Sequence, residues 1–296
     1  MISFYTMIAF ISIVFLISLK VCSPPLVVGK IFYDKNNVPL VDYGVMSSID
    51  IGKQYNPITI SHNASKYYNE YIKNNNETSK GYFLNHVNWL VNNSVQKDNN
   101  TFFVYDFPFP PYYLKAPWYS AMAQGAAIQP LLNAYKITHD KVYLTTAKNA
   151  LNVLFIDIND PCNCGVTYKT PGEGWWYEEY ANGRENGPRV LNGMMFTLVD
   201  IHYYYNFTQD PDALYLFNQG ILSLKNNLHN YDKNGTYSSY DKIRGYAPIE
   251  YHNVHVCLLN KLYNITNDSI FKQYYESWTK SNNDHIKIDK NSESCF

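Results

Sequence analysis

The sequence predicts an all-α fold, an (α/α) toroid or barrel of about four helical hairpins with short β-like inserts at its open end. Two observations predict this fold. Pairs of apolar segments with helical spacing recur along the chain, and segments without helical periodicity separate the later pairs. A single hairpin cannot bury its own apolar face, so successive hairpins are expected to stack. The inserts then cross the open end, where a concave site would be lined.

Each predicted hairpin pairs two segments whose apolar residues follow the period of an α-helix. In chain order the pairs are residues 65–71 with 82–91, 120–135 with 142–154, 190–205 with 213–228, and 255–263 with 270–278. The last three pairs turn at a Thr-x-Asp triplet, which ends at Asp140, Asp210 and Asp268. Aspartate favours the N-cap position, so these side chains are expected to cap the second helix of each hairpin.

Composition and charge exclude several classes of protein. The chain has 296 residues, of which 46% are hydrophobic, and this is enough to bury a sizeable core. Its 24 basic and 25 acidic side chains leave a net charge of −1, which excludes an overall basic nucleic-acid-binding protein and a disordered polyelectrolyte. Nucleic acid is therefore not an expected partner. The chain also has 29 tyrosines, each an apolar ring with a hydroxyl that needs a partner when buried.

The N-terminal segment indicates entry into the secretory pathway. Residues 1–19 carry no charged side chain, so residues 1–23 are expected to be a signal peptide or a membrane anchor, and both alternatives remain open. After it we expect an extended segment at 24–60, the helical domain at 61–285 and a tail at 286–296. Asn-x-Ser/Thr sequons also agree with a luminal protein. They lie at Asn63, Asn76, Asn92, Asn99, Asn206, Asn234, Asn264 and Asn267.

The cysteines fit an oxidising compartment better than a metal site. Cys162 and Cys164 form a Cys-Asn-Cys pair, but no second pair of ligands with metal-binding spacing accompanies it. We therefore predict no metal and expect a disulfide from Cys162 or Cys164 to a distant cysteine. The connectivity itself cannot be read from the sequence.

Candidate chemistry is concentrated in the two later inserts, residues 156–188 and 229–253. The three arginines of the chain fall in or beside these inserts, at Arg184, Arg189 and Arg244. Because a guanidinium grips a carboxylate or sulfate with a fixed two-pronged fork and an ammonium does not, this placement indicates an anionic ligand.

The paired glutamates of the first insert do not suit a glycosidase. Adjacent side chains point about 180° apart on a strand or about 100° apart on a helix, so Glu178 and Glu179 cannot both face one glycosidic bond. We expect one of them to face the site and the other to take a structural hydrogen bond. Likewise, His252 and His255 have the i, i+3 spacing of a metal-binding pair without an evident third ligand, so we interpret them as hydrogen-bonded positioning residues.

At these residues the sequence resembles the D-glucuronyl C5-epimerase family, whose members turn D-glucuronate into L-iduronate within heparan-type chains. The resemblance covers about residues 80–280 and implies the family's helical C-terminal domain. In the family's order, the stretches that carry it are Trp118-Tyr-Ser-Ala-Met-Ala-Gln-Gly125, Trp176-Tyr-Glu-Glu-Tyr180, Val190-Leu-Asn-Gly193, Tyr240-Asp, Ala247-Pro248 and Tyr251-His-x-x-His255.

The resemblance implies a set of site residues. The family's catalytic tyrosines correspond to Tyr180, Tyr240 and Tyr251, and its active-site glutamate corresponds to Glu179. The tyrosines would stand on opposite faces of the sugar ring, and which tyrosine serves which face is not assigned. A tyrosine suits so weak a carbon acid if neighbouring cations lower its pKa. The expected substrate-binding residues are Arg244 and His252, which would hold the carboxylate, together with His255, Asn192, Trp176 and Gln124.

The expected function is therefore inversion at C5 of glucuronate in a heparan- or heparosan-like polysaccharide, in the Golgi or after secretion. Proton abstraction needs no cofactor, and none is predicted. A uronate polysaccharide lyase stays open because it forms the same carbanion, as does a catalytically silent protein that binds anionic glycans. A homodimer is also left open.

Overall fold

The computed structural model describes residues 29–181 and 187–280. The predicted signal peptide or anchor at 1–23 and the tail at 286–296 lie outside these described residues. None of the helices in the described part is both long and apolar enough to cross a membrane.

Helices form four consecutive hairpins in the described residues, at the places that the sequence predicts. Their bounds are α1 (Pro57–Asn74) with α2 (Glu77–Asn92), α3 (Ala121–Thr138) with α4 (Lys141–Val153), α5 (Leu191–Thr208) with α6 (Pro211–Asn227), and α7 (Ile249–Thr266) with α8 (Ser269–Thr279). Two helices begin well before the predicted start: α1 begins eight residues before 65, and α7 begins six residues before 255. Tyr251 and His252 therefore lie in the first turn of a helix and not in the preceding insert.

The hairpins stack through their first helices. α1 packs on α3, α3 on α5, and α5 on α7, whereas α2, α4, α6 and α8 cover the outside and pack on their hairpin partners. The buried residues of α3 and α5 occur on every side, as expected for helices enclosed by neighbours. The outer helix α4 buries only one stripe, which includes Tyr143, Ala147 and Leu151. The predicted all-α (α/α) toroid is confirmed, with α1 and α7 at the ends of the stack.

The turns of the last three hairpins share one arrangement. The middle residue of the Thr-x-Asp triplet has a left-handed backbone, with φ of 60°, 59° and 55° at His139, Gln209 and Asn267. The aspartate side chain accepts a hydrogen bond from the backbone N–H two residues on, at 3.0, 2.9 and 3.1 Å for Asp140, Asp210 and Asp268. The predicted N-caps are therefore confirmed.

The N-terminal segment, predicted to be extended, builds a small sheet ahead of the helices. β1 (Lys30–Tyr33), β2 (Pro39–Asp42) and β5 (Lys53–Tyr55) pair antiparallel in the order β1-β2-β5, and β3 (Val45–Met46) and β4 (Ile49–Asp50) form a hairpin between them. α1 then begins at Pro57, capped by the side chain of Asn56, so the described part of the 24–60 segment ends in the first turn of a helix.

Short antiparallel pairs of strands mark the inserts between hairpins. They are β6 (Val95–Lys97) with β7 (Asn100–Phe102), β8 (Thr167–Thr170) with β9 (Gly174–Tyr177), and β10 (Asp232–Lys233) with β11 (Tyr237–Ser238). The inserts dock on the starts of the inner helices, because Ala121 N–H donates to Glu178 O at 2.9 Å and Leu191 N–H donates to Tyr240 O at 3.0 Å. The N-terminal ends of α3 and α5 therefore face the inserts.

The expected cysteine pairing is wrong. Cys162 and Cys164 are bonded to each other, with their Cα atoms 5.2 Å apart, so neither reaches a distant cysteine. Asn163 between them has a left-handed backbone, with φ of 53°, which lets the chain turn back within three residues. Cys257 is also disulfide-bonded.

The shared turn predicts unequal losses of stability for its aspartates. Asp140→Ala should lower the free energy of unfolding by about 1 kcal/mol because it removes one N-cap. Asp210→Ala should lower it by up to about 1 kcal/mol more, since Asp210 also pairs with Lys148 at 2.7 Å near the surface. Urea denaturation measures both, with Asp106→Ala in an exposed loop as the control. Equal losses in Asp140→Ala and the control would contradict the capping role.

Candidate active site

Tyr180 lies at the centre of the candidate site, directly after β9. Its ring packs against three aromatic rings from the insert between α2 and α3. The ring centroids are 5.3 Å from Phe109, in parallel stacking, 4.4 Å from Tyr112 and 5.7 Å from Trp118. This insert, which carries no predicted site residue, therefore supplies one wall of the site.

A chain of interacting side chains links the four expected catalytic residues. Glu179 interacts with Tyr180, Tyr180 with Tyr240, and Tyr240 with Tyr251. The rings of Tyr240 and Tyr251 also meet edge to face at 4.6 Å. The structure thus joins side chains from the segment after β9, the 229–248 insert and the first turn of α7.

The two glutamates have different roles, as the sequence predicts. Glu178 accepts backbone N–H groups on both oxygens, from Tyr180 at 3.2 Å and from Arg189 at 2.9 Å, and so holds the local backbone. Glu179 faces the tyrosines instead. Burial raises the pKa of Glu178 to about 7 and that of Glu179 to about 8. The Tyr180 hydroxyl opposes this rise at Glu179, while the negative charges of Glu178 and Asp241 add to it.

The phenols stay protonated near neutral pH. Burial, followed by the charge of Glu179, raises the pKa of Tyr180 and Tyr240 well above 10 and that of Tyr251 to about 12. The condition that neighbouring cations lower the pKa values is not met at Tyr180 and Tyr240, because burial and the charge of Glu179 raise both. Glu179 is the member of the chain that titrates nearest to neutral pH.

Arg244 places a cation beside this chain. Its guanidinium carbon lies 4.5 Å from the ring centre of Tyr112 and 5.9 Å from that of Tyr240, and its side chain is 49% exposed. Of the other two arginines, Arg189 stacks on Tyr168 at 4.0 Å, and Arg184 lies outside the described residues. Of the two described arginines, Arg244 is the one that lies beside the tyrosines of the site and could bind an anion there.

Comparison with known proteins agrees with this arrangement. The family model described as "D-glucuronyl C5-epimerase C-terminus" matches residues 97–280, which include Glu179, Tyr180, Tyr240 and Tyr251. The polypeptide chain belongs to that family.

Two relatives by sequence differ in how much of their length is shared. An uncharacterized protein of Methanocaldococcus jannaschii is 31% identical over 258 residues, 82% of this chain and 82% of that protein. The D-glucuronyl C5-epimerase of Caenorhabditis elegans is 33% identical over 183 residues, which is 54% of this chain but only 28% of that protein.

Among solved structures, the GH76 alpha-mannanase of Bacteroides thetaiotaomicron matches with a TM-score of 0.52 at 12% identity. The match covers 81% of this chain and 61% of the mannanase, so this chain spans about three fifths of that structure. At this identity the likeness shows the fold alone.

The two histidines of the epimerase motif are buried behind the site. Ser238 Oγ lies 2.8 Å from Nδ1 of His252 and 2.7 Å from Nδ1 of His255, and Nε2 of His252 lies 3.3 Å from the carbonyl oxygen of Trp278. Burial lowers the pKa of His252 to about 4 and that of His255 to about 3, so both rings are neutral at pH 7. The structure gives them a positioning role in place of the expected contact between His252 and the substrate carboxylate.

The remaining predicted substrate contacts are also buried. Trp176 is fully buried and stacks on Tyr231 at 5.7 Å. Gln124 is fully buried as well and, in the amide orientation that satisfies both partners, donates to Thr101 O at 3.1 Å and accepts from Phe103 N–H at 3.3 Å. Asn192 lies in the first turn of α5, and its Oδ1 has no hydrogen-bond partner among the described residues. Neither Trp176 nor Gln124 is exposed to a substrate.

Sequence reasoning missed two residues that the structure places at the site. Tyr112 packs on Tyr180 and donates to Asp241 Oδ2 at 2.6 Å. Asp241 was part of the Tyr240-Asp motif, but no role was predicted for it. The density of aromatic residues from Tyr105 to Trp118 was a usable signal, since such a run predicts a packed aromatic wall.

The described residues contain no group of three or more His, Cys, Asp or Glu side chains that could hold a metal ion.

Gly193 of α5 leaves space for the side chain of Glu179. A Cβ at this position would lie 2.5 Å from Glu179 Oε2 and 2.7 Å from Glu179 Cβ. Gly193→Ala should therefore displace the Glu179 carboxyl and lower by about 100-fold any catalysed reaction that depends on its position. It should also destabilise the protein by about 1–3 kcal/mol. Gly81→Ala, on exposed α2 where a Cβ meets nothing within 4 Å, is the matched control. Full activity in Gly193→Ala would show that the position of Glu179 is not critical.

Proposed function

We propose that the protein is a carbohydrate epimerase that inverts C5 of D-glucuronate to L-iduronate in a uronate-containing polysaccharide of the heparan or heparosan type. The observation that supports this most directly is the buried cluster of Glu179, Tyr180, Tyr240 and Tyr251, in which a carboxyl of pKa about 8 lies beside protonated phenols. Family membership supports the reaction class. Because this chain spans 28% of the nematode epimerase, the activity stated here is a proposal.

The negative charge of the substrate carboxylate has to be stabilised before the C5 proton can be removed. The proton at C5 is alpha to a carboxylate, so its removal gives an enediolate-like dianion that must be stabilised by positive charge or strong donors. Arg244, half-exposed beside Tyr240, would bind the substrate carboxylate through its two-pronged fork. The phenol hydroxyls of the chain would donate to the developing negative charge.

The titration order of the chain suggests the acid and the base. An ionised Glu179 would take the C5 proton from one face, since its pKa of about 8 makes it the most readily ionised member. Tyr251, a protonated phenol at the other end of the chain, would return a proton to the opposite face. In the reverse reaction the two roles exchange.

The polymer and the location belong to the same proposal. The alternation of uronate and amino sugar in heparosan would offer the carboxylate that Arg244 needs. The uncharged run at residues 1–19 and the sequons support a place in the secretory pathway, in the Golgi or outside the cell.

Incubating the protein with heparosan in deuterated water tests the reaction, with and without N-sulfation of the polymer. We expect deuterium at C5 of the uronate, and iduronate by NMR, without unsaturated ends. Unsaturated ends that absorb ultraviolet light would instead identify a lyase. A folded protein that binds the polymer without exchange would be a glycan-binding protein.

Removing single hydroxyls tests the tyrosines. Tyr180→Phe, Tyr240→Phe and Tyr251→Phe should each lower the exchange rate about 100-fold or more, because each breaks the donor chain. Tyr246→Phe is the matched control, since Tyr246 lies in the same insert and is 62% exposed. A loss in Tyr246→Phe equal to the others would point to general disturbance of the insert.

The pH dependence follows from the pKa of Glu179. Below pH 8 the carboxyl is mostly protonated and cannot accept a proton, so kcat/KM should rise with pH through about 8. No fall from Tyr251 is expected below pH 10, because the pKa of its phenol is about 12. Glu179→Gln should abolish the activity, while the exposed Glu276→Gln should keep the profile. A flat profile between pH 6 and 9 would contradict the assignment of the base.

A further inference from the structure

Asp241 is a buried carboxylate that joins two inserts beside the site. Its side chain is 2% exposed, although it belongs to a segment whose next residues are exposed. Oδ1 accepts the backbone N–H groups of Ile243 at 2.9 Å and Arg244 at 2.5 Å. Oδ2 accepts the hydroxyl of Tyr112 at 2.6 Å and lies 3.7 Å from Nε of Arg244. An ionised carboxylate is buried without large cost only when it has such partners.

The two carboxylate oxygens of Asp241 make different contacts. Oδ1 shapes the turn that carries Arg244, whereas Oδ2 connects this turn to the insert between α2 and α3. The guanidinium of Arg244 lies over the ring of Tyr112 at 4.5 Å, so Tyr112 contacts both charged groups. The ring of Tyr112 also packs against the ring of Tyr180, with the ring centroids 4.4 Å apart.

We infer that Tyr112, Asp241 and Arg244 form a bracket in which Asp241 and Tyr112 are positioning residues that set the guanidinium of Arg244 for a substrate carboxylate. The inference rests on the proposed function, because it names what Arg244 binds. A half-exposed arginine side chain has many rotamers. Asp241 holds the backbone turn and lies near Nε, and the ring of Tyr112 lies against the guanidinium, so most of this freedom is lost before a ligand binds. The bracket also connects the cation to Tyr180, so the carboxylate and C5 of one sugar would be held in a fixed relation.

The charge of Asp241 has a second consequence, because it acts on Glu179. Among the described residues, the titratable groups that face Glu179 are Glu178 and Tyr180 from its own segment, Tyr105 and Tyr112 from the α2–α3 insert, Tyr240 and Asp241 from the 229–248 insert, and Tyr251 from α7. Of these neighbours, Glu178 and Asp241 are the carboxyls. Removing the charge of Asp241 should therefore make Glu179 easier to ionise.

The test compares Asp241→Asn, Tyr112→Phe and their double variant with the exposed neighbour control Tyr113→Phe, which changes a residue that is 82% exposed. Asparagine keeps an oxygen for the backbone N–H groups, but its amide nitrogen cannot accept from Tyr112 or attract Arg244. Each single variant should lose about 10-fold in kcat/KM on heparosan, chiefly through KM, because each loses a hydrogen bond to a charged group. The double variant should lose no more than Asp241→Asn alone, and Tyr113→Phe should match the wild type.

Two further readouts separate positioning from mere stability. Calorimetric binding of heparosan should be tighter than binding of carboxyl-reduced heparosan in the wild type, and Asp241→Asn should lose most of this difference. The rising limb of kcat/KM should also move to lower pH in Asp241→Asn and stay in place in Tyr112→Phe. A structural role would lower the melting temperature without either effect.

Several results would overturn the bracket. Additive losses in the double variant would contradict the bracket, and so would an unchanged preference for the carboxylate polymer in Asp241→Asn. If the wild-type protein is active in the same experiments, the proposed function still stands. A wild-type protein that neither binds nor turns over a uronate polymer would overturn the proposed function, and with it the ligand assigned to Arg244.

Discussion

The close stacking of the inner helices is the constraint on which the other features depend. α3 and α5 touch so closely at Gly125 that a Cβ there would lie 3.3 Å from Thr197 Cα. The first residues of these two helices are hydrogen-bonded to two different inserts: Ala121 of α3 to Glu178, just after β9, and Leu191 of α5 to Tyr240 of the 229–248 insert. The stack therefore holds together the side chains of the site, which come from four separate segments.

Desolvation dominates the electrostatics of the site. The N-terminal ends of α5 and α7 lie beside it, and a helix N-terminus favours negative charge. The pKa values of both glutamates nevertheless rise, because burial costs more than these partial charges return. Glu178, with two backbone N–H partners and the charge of Arg189 nearby, has a pKa of about 7, and Glu179, beside the negative charges of Glu178 and Asp241, has a pKa of about 8. A neutral, weakly held carboxyl is a group that can exchange a proton.

The aromatic wall explains how so polar a chain can be buried. Tyr105 stacks on Trp118 at 3.9 Å, and its hydroxyl lies 3.3 Å from Asn56, the residue that caps α1. The same wall reaches Tyr180 through Trp118 and Phe109. Rings therefore connect the start of the first inner helix to the site.

Local signals in the sequence were enough for the hairpins and their caps. Periodicity located the helices and the Thr-x-Asp triplets located the turns, because these properties depend on neighbouring residues. The resemblance to a family, and not a local pattern, pointed to Glu179, Tyr180, Tyr240 and Tyr251. Only the tertiary structure decided the partner of Tyr112, which lies 129 residues from Asp241, and the burial of His252 behind the site. It also decided that the phenols are acids with raised pKa values. Long-range contacts and desolvation are properties of the packed chain, and no local pattern of residues encodes them.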